Sequence, residues 1–322
     1  MLNKNVTIAT AAVTIALSTG LLFPSATSAQ SFDRIYVFGD SLSDIGNVYE
    51  ATDKENPPSP PYFKGRYSNG PVWVEYLATD LKLPLNLNNN FAYGGATTGD
   101  SQAVPLGVLA QIEKFKASKS TSDRNPLYII WAGANDYLGG GTDTTVPVNN
   151  LTNAVQSIAA VGGKNIVVVN LPDLGNLPGT RTTERATLLS NLTAQHNREL
   201  AAAIDSLRKQ LNADIKLKYL DVNSIFNQVG SNPSKYGFTN VTEPCLKQTI
   251  RCTNPDRYLF WDNIHPTTAA HKLLVELAYP TIKDESKSSF SIPQFTLVLT
   301  ALILSILGFG LIAKRRKNSK NR

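Results

Sequence analysis

The chain has 322 residues, 42% of them hydrophobic and 17% charged, a balance that supports a packed core and excludes a disordered polypeptide. Its formal charge of +6 would suit a nucleic-acid binder, but Lys314, Arg315, Arg316, Lys317, Lys320 and Arg322 account for all of it. Residues 1–313 are neutral overall, so the basic character belongs to a tail and no polyanion-binding face is expected.

In chain order, Lys4 precedes an apolar run from Val6 to Phe23, then Pro24 and the small residues Ser25 to Ala29. A charged start, an apolar middle and a small-residue end predict a signal peptide over residues 1–29, cut after Ala29. Arg34 to Phe38 reads as a buried strand ending at Gly39-Asp40-Ser41. Residues 53–70, rich in Pro, Gly and Ser, read as an extended surface loop. Helical spacing of apolar residues follows over Trp73 to Leu81 and again over Val104 to Ala117. The segment from Asn86 to Gly95 between them reads as loop with one short strand at most. A second strand, Leu127 to Trp131, ends at Gly133-Ala-Asn135-Asp136. Residues 147–161 then form a helix, Asn165 to Asn170 a third strand, Thr182 to Leu211 a long helix, and Ile215 to Leu220 a fourth strand. Pro266 suits a first helical turn and opens the last helix of the domain, to about Ala278.

Strands alternating with helices predict an α/β fold with a mostly parallel sheet covered on both faces. In such sheets ligands gather beyond the carboxyl ends of the strands, where Ser41 and Asn135 fall. A single folded domain is expected over residues 30–282 and a polar linker over 283–292. A transmembrane helix is predicted over 293–313 and a basic cytoplasmic tail over 314–322. Residues 295–313 carry no charge, and at about 1.5 Å per residue such a helix spans roughly 28 Å, close to the bilayer's hydrocarbon core. The basic cluster directly after it keeps the tail cytoplasmic and the domain outside. Cys245 and Cys252 are the only cysteines, and in an exported protein they read as a local disulfide. With no CxxC or histidine cluster beside them, neither a metal site nor a redox pair is expected.

A serine hydroxyl becomes a nucleophile when a base, an orienting carboxylate and oxyanion donors surround it. The chain has three histidines. His196 sits within the long helix and His271 within the last one, positions that suit packing. His265 instead lies in Trp261-Asp-Asn-Ile-His-Pro-Thr267, three residues after Asp262, where a short turn could join imidazole to carboxylate.

Phe38-Gly-Asp-Ser41-Leu-Ser-Asp-Ile-Gly-Asn47 resembles the first block of the GDSL family of SGNH hydrolases. Asn90-Phe-Ala-Tyr-Gly-Gly95-Ala-Thr resembles its second, Gly133-Ala-Asn135-Asp136 its third, and Asp262-Asn-Ile-His265-Pro-Thr its fifth; Gly65-Arg-Tyr-Ser-Asn-Gly70 with Trp73 is also similar to the family. The blocks keep the family's order over residues 34–280. The resemblance implies a three-layer α/β/α sandwich, flavodoxin-like in outline, and a serine ester hydrolase, an esterase or lipase working through an acyl-enzyme on Ser41 without cofactor or metal. It further implies His265 as base, Asp262 as its orienting acid, and an oxyanion hole formed by the backbone N–H groups of Ser41 and Gly95 and the amide of Asn135. Gly95 is taken in preference to Gly94 from its offset to Asn90. Cys245 and Cys252 are then expected to brace the loop carrying Asp262 and His265.

The partners expected are an ester substrate (lipid, acyl ester or acetylated glycan) and a membrane, with no nucleic acid. Ile292-Pro293-Gln294, the apolar span and the Arg-rich end also resemble tails processed by exosortases, although the usual Pro-Glu-Pro is absent; a sorting protease is the minor expectation beside simple anchoring. The alternative functions are polysaccharide O-acetyl esterase and a non-catalytic anchored surface-binding module, the latter expected to have lost a triad or oxyanion residue.

Overall fold

The computed structural model describes residues 32–118 and 123–283. The expected signal peptide over 1–29, transmembrane helix over 293–313 and basic tail lie outside the described residues. Among the described residues no helix is long and apolar enough to cross a membrane.

Four parallel strands form the central sheet in the order β1 (Ile35–Gly39), β2 (Leu127–Trp131), β3 (Asn165–Val169) and β4 (Lys216–Leu220). Ile35 lies beside Leu127, Leu127 beside Asn165 and Asn165 beside Lys216. The strands therefore start level and end level, and their carboxyl ends form one edge. Side chains alternate between faces. Val37, Ile129 and Val167 enter one core with α2 (Trp73–Leu81) and α8 (Thr268–Lys283). Phe38, Ile130 and Val168 enter the other with α3 (Val108–Ser118), α5 (Thr145–Ala160) and α6 (Ala186–Gln210). Burial on both faces explains why these strands are uniformly apolar, and the result is the three-layer α/β/α arrangement expected.

The segment over residues 89–93 completes the sheet's outer edge. Val37 N–H donates to Asn89 O (3.1 Å), Phe91 N–H to Val37 O (2.7 Å) and Tyr93 N–H to Gly39 O (3.1 Å), with Asn90 bridged to Val37 in parallel. The second extended segment of the chain thus lies outside the first, giving the spatial order 2-1-3-4-5 and a reversal between β1 and β2, the place where open α/β sheets bind ligands.

Several boundaries differ from expectation. The last helix begins at Thr268 instead of Pro266. Pro266 pairs with Phe260 in an isolated bridge, its carbonyl accepts from the Ser68 hydroxyl at 2.8 Å, and Thr267 Oγ1 accepts from Ala270 N–H to start the helix. The third helix starts at Val108, after Pro105 and Gly107. The long helix starts at Ala186 because turns occupy residues 180–185. Elements not expected are α1 (Asn47–Ala51), α4 (Ala134–Leu138), α7 (Val222–Ser231) and four short strands. Of those strands, β5 (Asn240–Pro244) pairs with β8 (Tyr258–Phe260), and β6 (Leu246–Lys247) with β7 (Ile250–Arg251).

Candidate active site

β1 ends at Gly39, where the buried Gln111 side chain accepts from Gly39 N–H (2.8 Å) and donates to Gly39 O (2.9 Å). The chain then turns sharply. Asp40 O accepts from the N–H groups of Ser43 and Asp44, both at 3.0 Å, and Asp40 Oδ1 accepts from Leu42 N–H at 3.0 Å. Asp44 anchors the turn from below by accepting from Gly46, Asn47 and Gly94 N–H at 2.7, 2.6 and 2.9 Å. Trp73 Nε1–H donates to Ser43 Oγ at 3.0 Å. Ser41 sits at the top of this turn, so its hydroxyl is aimed by a bonded scaffold rather than by its own torsions.

The partner turn arrives from the far end of the chain. Asp262 Oδ1 accepts from Ile264 N–H (2.8 Å) and His265 N–H (2.7 Å). Trp261 N–H donates to His265 O at 2.7 Å, and Gly179 N–H to Asn263 O at 2.9 Å. His265 Nδ1 lies 2.7 Å from Asp262 Oδ2, and His265 Nε2 lies 2.8 Å from Ser41 Oγ. Burial opposes ionisation of Asp262, but His265 and the donors around the carboxyl outweigh it and hold its pKa down at about 2. An ionised carboxylate only accepts hydrogen bonds, so Nδ1 carries the imidazole proton and Nε2 is left to accept from the Ser41 hydroxyl. Ser41 and the Asp262–His265 turn, far apart in sequence, therefore form one hydrogen-bonded chain.

The other two histidines are buried and outside this chain. His196 Nδ1 pairs with the Tyr137 hydroxyl at 2.8 Å, and burial lowers the pKa of His196 to about 4 and of His271 to about 3. Both are neutral core groups.

Asn135 lies in α4 just beyond β2 and uses one amide proton on Ala96 O at 2.9 Å, which leaves its second without an acceptor among the described residues. Gly94 N–H is spent on Asp44. Gly95 N–H and Ser41 N–H donate to no acceptor among the described residues. Gly95 has φ +85°, a backbone region glycine enters freely. A Cβ on Gly94 would lie 2.1 Å from the Tyr67 ring. Donors with no acceptor at the end of a sheet can serve a developing oxyanion.

Two tyrosines of the 53–70 loop belong to the site and were not foreseen. Tyr62 donates its hydroxyl to Asp262 Oδ2 at 2.7 Å. Tyr67 packs its ring against His265, centroids 5.2 Å apart. The loop has no periodicity to mark them, and only its Gly-Arg-Tyr-Ser-Asn-Gly stretch signalled anything. Cys245 and Cys252 are joined, and the stapled hairpin donates from Cys245 N–H to Phe260 O (3.1 Å) and from Leu246 N–H to Trp261 O (2.7 Å), next to Asp262.

A cleft opens at Ser41 and Asn135 and is lined mostly by apolar side chains, among them Leu138, Leu174 and Ile264. Asp40 also borders it, and burial raises that carboxyl to about 7.

A family model described as GDSL-like lipase/acylhydrolase matches residues 35–278. The phosphatidylcholine-sterol acyltransferase of Aeromonas hydrophila is 28% identical, over 82% of this chain and 94% of its own. A GDSL lipase of Tanacetum cinerariifolium is 27% identical, over 83% of this chain and 87% of its own. Among solved structures, the aryl esterase of M. smegmatis is 19% identical with a TM-score of 0.46, covering 77% of this chain and 97% of that one.

Proposed function

The chain belongs to the GDSL-like lipase/acylhydrolase family and is a hydrolase of ester bonds, and from that premise we propose that Ser41, His265 and Asp262 are its catalytic triad and that its substrates are esters of hydrocarbon acyl chains. The observation that carries the triad is the unbroken path from Ser41 Oγ through His265 to Asp262, at 2.8 and 2.7 Å. Ser41 Oγ attacks the acyl carbonyl carbon while its proton passes to His265 Nε2. The imidazolium that forms is held by Asp262. The carbonyl oxygen becomes an oxyanion facing the N–H groups of Ser41 and Gly95 and the second amide proton of Asn135. The bond to the alcohol then breaks, His265 returns the proton to that alcohol, and water repeats the sequence to release the acid.

The cleft beside Ser41 presents mostly apolar side chains to a bound acyl group. Its lining therefore ranks acyl esters ahead of acetylated glycans. The hydrogen bonds joining Ser41, His265 and Asp262 and the donors of Ser41, Gly95 and Asn135 favour catalysis over a non-catalytic surface module. The deciding experiment is Ser41→Ala, with folding checked by circular dichroism. Labelling by a fluorophosphonate is expected to disappear, and hydrolysis of a short p-nitrophenyl ester to fall by more than about a thousandfold. A folded variant that keeps its activity refutes the assignment.

The domain over 30–282 is read as working outside the cytoplasm. The pattern of residues 1–29, the uncharged run before Lys314 and the bond between Cys245 and Cys252 support export. Anchoring through residues 293–313, with or without removal of that tail by a sorting protease, is distinguished by the intact mass of the native protein.

A further inference from the structure

Two of the donors assigned to the oxyanion sit on different segments. Gly95 belongs to the turn after the sheet's edge segment and Asn135 to α4, so no single element fixes the distance between them. Gly95 is exposed between the buried Gly94 and Ala96, and the direction of its N–H depends on what holds the chain on either side. Before it, Gly94 N–H donates to Asp44 Oδ2 at 2.9 Å. After it comes the fully buried Thr98. Its N–H donates to Asp136 Oδ2 at 3.0 Å and its hydroxyl to Asp136 Oδ1 at 2.8 Å. Asn150 of α5 donates to the same hydroxyl oxygen at 3.1 Å, which fixes the direction in which that hydroxyl donates.

Asp136 directly follows Asn135. The Asn135 amide holds Ala96 O at 2.9 Å while Asp136 holds Thr98, so consecutive side chains of α4 grip both ends of residues 96–98. Behind them α4 is fastened to the core: the Tyr137 hydroxyl pairs with His196 Nδ1 at 2.8 Å, and Arg185 donates to Tyr137 O at 2.8 Å. The cleft at Ser41 is lined by Asn135 but not by Asp136. The carboxyl is therefore placed to act on the donors and not on the substrate.

We propose that Asp136 is a positioning residue of the oxyanion hole: through Thr98 it ties the Gly95 turn to α4 and so sets the distance between the Gly95 N–H and the Asn135 amide. This rests on the reading that those two groups face the oxyanion formed when Ser41 attacks. Preset donors stabilise that charge only where they converge on it, and a misplacement of about 1 Å costs up to about a hundredfold in rate. The substrate's hydrocarbon part is held by the cleft, which the tie does not touch. Loss of the tie therefore lowers kcat and spares KM.

The test compares wild type with Asp136→Ala, Asp136→Asn, Thr98→Val, Asn135→Ala, the double variant Asp136→Ala/Asn135→Ala and Ser41→Ala. Each is assayed on a short p-nitrophenyl ester, with folding followed by circular dichroism. Asp136→Ala is expected to lower kcat by roughly ten- to a hundredfold with KM within about twofold. Asp136→Asn, whose carboxamide oxygen still accepts from Thr98, loses less. In the Asn135→Ala background the removal of Asp136 costs at least about threefold less than in wild type, because one of the two donors it aligns is already gone. A residue that served stability alone would lower Tm and leave kcat and this coupling unmoved. If Asp136→Ala does not fold, Thr98→Val removes the hydroxyl end of the tie and must itself lower kcat and spare KM. Folded variants with wild-type kcat, or losses that multiply in full in the double variant, overturn the proposal, and an inactive Ser41→Ala beside them leaves the triad standing. An active Ser41→Ala overturns the triad itself, and the positioning proposal with it.

Discussion

Replacing Tyr62 with phenylalanine removes one hydroxyl while keeping the ring that packs edge-on against Trp261 and Tyr67, at 6.4 and 6.3 Å between centroids. That hydroxyl is one of two donors to Asp262 Oδ2, the other being His265 Nδ1–H. A hydrogen bond to an ionised group contributes about 1.5–3 kcal/mol. The lower figure applies because Ile264 N–H, His265 N–H and His265 Nδ1–H remain on the carboxylate. A loss of about 1.5 kcal/mol lowers Tm by roughly 3 to 6 °C in a domain of this size. The sign of the pH effect follows from the depressed Asp262 pKa of about 2. A depressed carboxyl contributes stability that is present above its unfolded pKa of about 3.9 and is lost as pH falls through the folded one. With one donor fewer the folded pKa rises, so acid unfolding begins at higher pH.

Catalysis should respond in a second, separable way. Loosened alignment lowers kcat by roughly three- to tenfold, since tenfold corresponds to about 1.4 kcal/mol. The assay is a pH series of kcat and KM on a short p-nitrophenyl ester, beside thermal melts of both proteins. If kcat is unchanged in a variant with the lower Tm, Tyr62 is only a packing residue. A loss as deep as that of Ser41→Ala would mean that the phenol takes part in the chemistry, and the positioning argument fails.

Asn135→Ala should lower kcat by about a hundred- to a thousandfold with little change in KM, as expected for a donor to the oxyanion; a loss under about threefold removes Asn135 from that role. Asp40, raised to about 7 by burial, keeps its proton in the fold over a range where the unfolded chain has lost it. Stability should therefore fall as pH rises from about 4 to 7, and Asp40→Asn, which retains the acceptor for Leu42 N–H, should flatten that slope; parallel pH–stability curves contradict it. Changing Cys245 and Cys252 together to serine should cost about 2–3 kcal/mol for so short a loop, visible as a lower Tm with activity retained below the transition. An unchanged Tm refutes the view that this staple supports the Asp262 turn.

The central strands and the grouping of Ser41, His265 and Asp262 were legible in the chain alone, for different physical reasons. Ile35–Gly39, Leu127–Trp131 and Asn165–Val169 are buried on both faces, so their apolar runs needed no partner to be recognised. Ser41, Asn135 and His265 lie at the ends of recognisable blocks. The edge segment over 89–93 was less legible, because Asn89 and Asn90 are polar and their pairing with Val37 is a contact made only in the folded chain. Tyr62 and Tyr67 were hidden for a related reason. A loop without periodicity carries no local sign of which side chain will reach a carboxyl 200 residues away. The helix start at Thr268 went wrong because proline at a first turn is a preference of isolated helices, and here the bridge to Phe260 captures Pro266 first.

Ser41 and His265 are separated by 224 residues, and the turn that carries His265 leads into α8, which leaves the ribosome long after β1. A nascent chain exposes its serine long before the imidazole exists. Until α8 docks against α2 and the sheet, that serine is as inert as any other alcohol. On the proposed triad, reactivity toward a fluorophosphonate becomes a report on completed folding: a partly assembled chain stays dark, and a chain that labels has already brought β1 and α8 together.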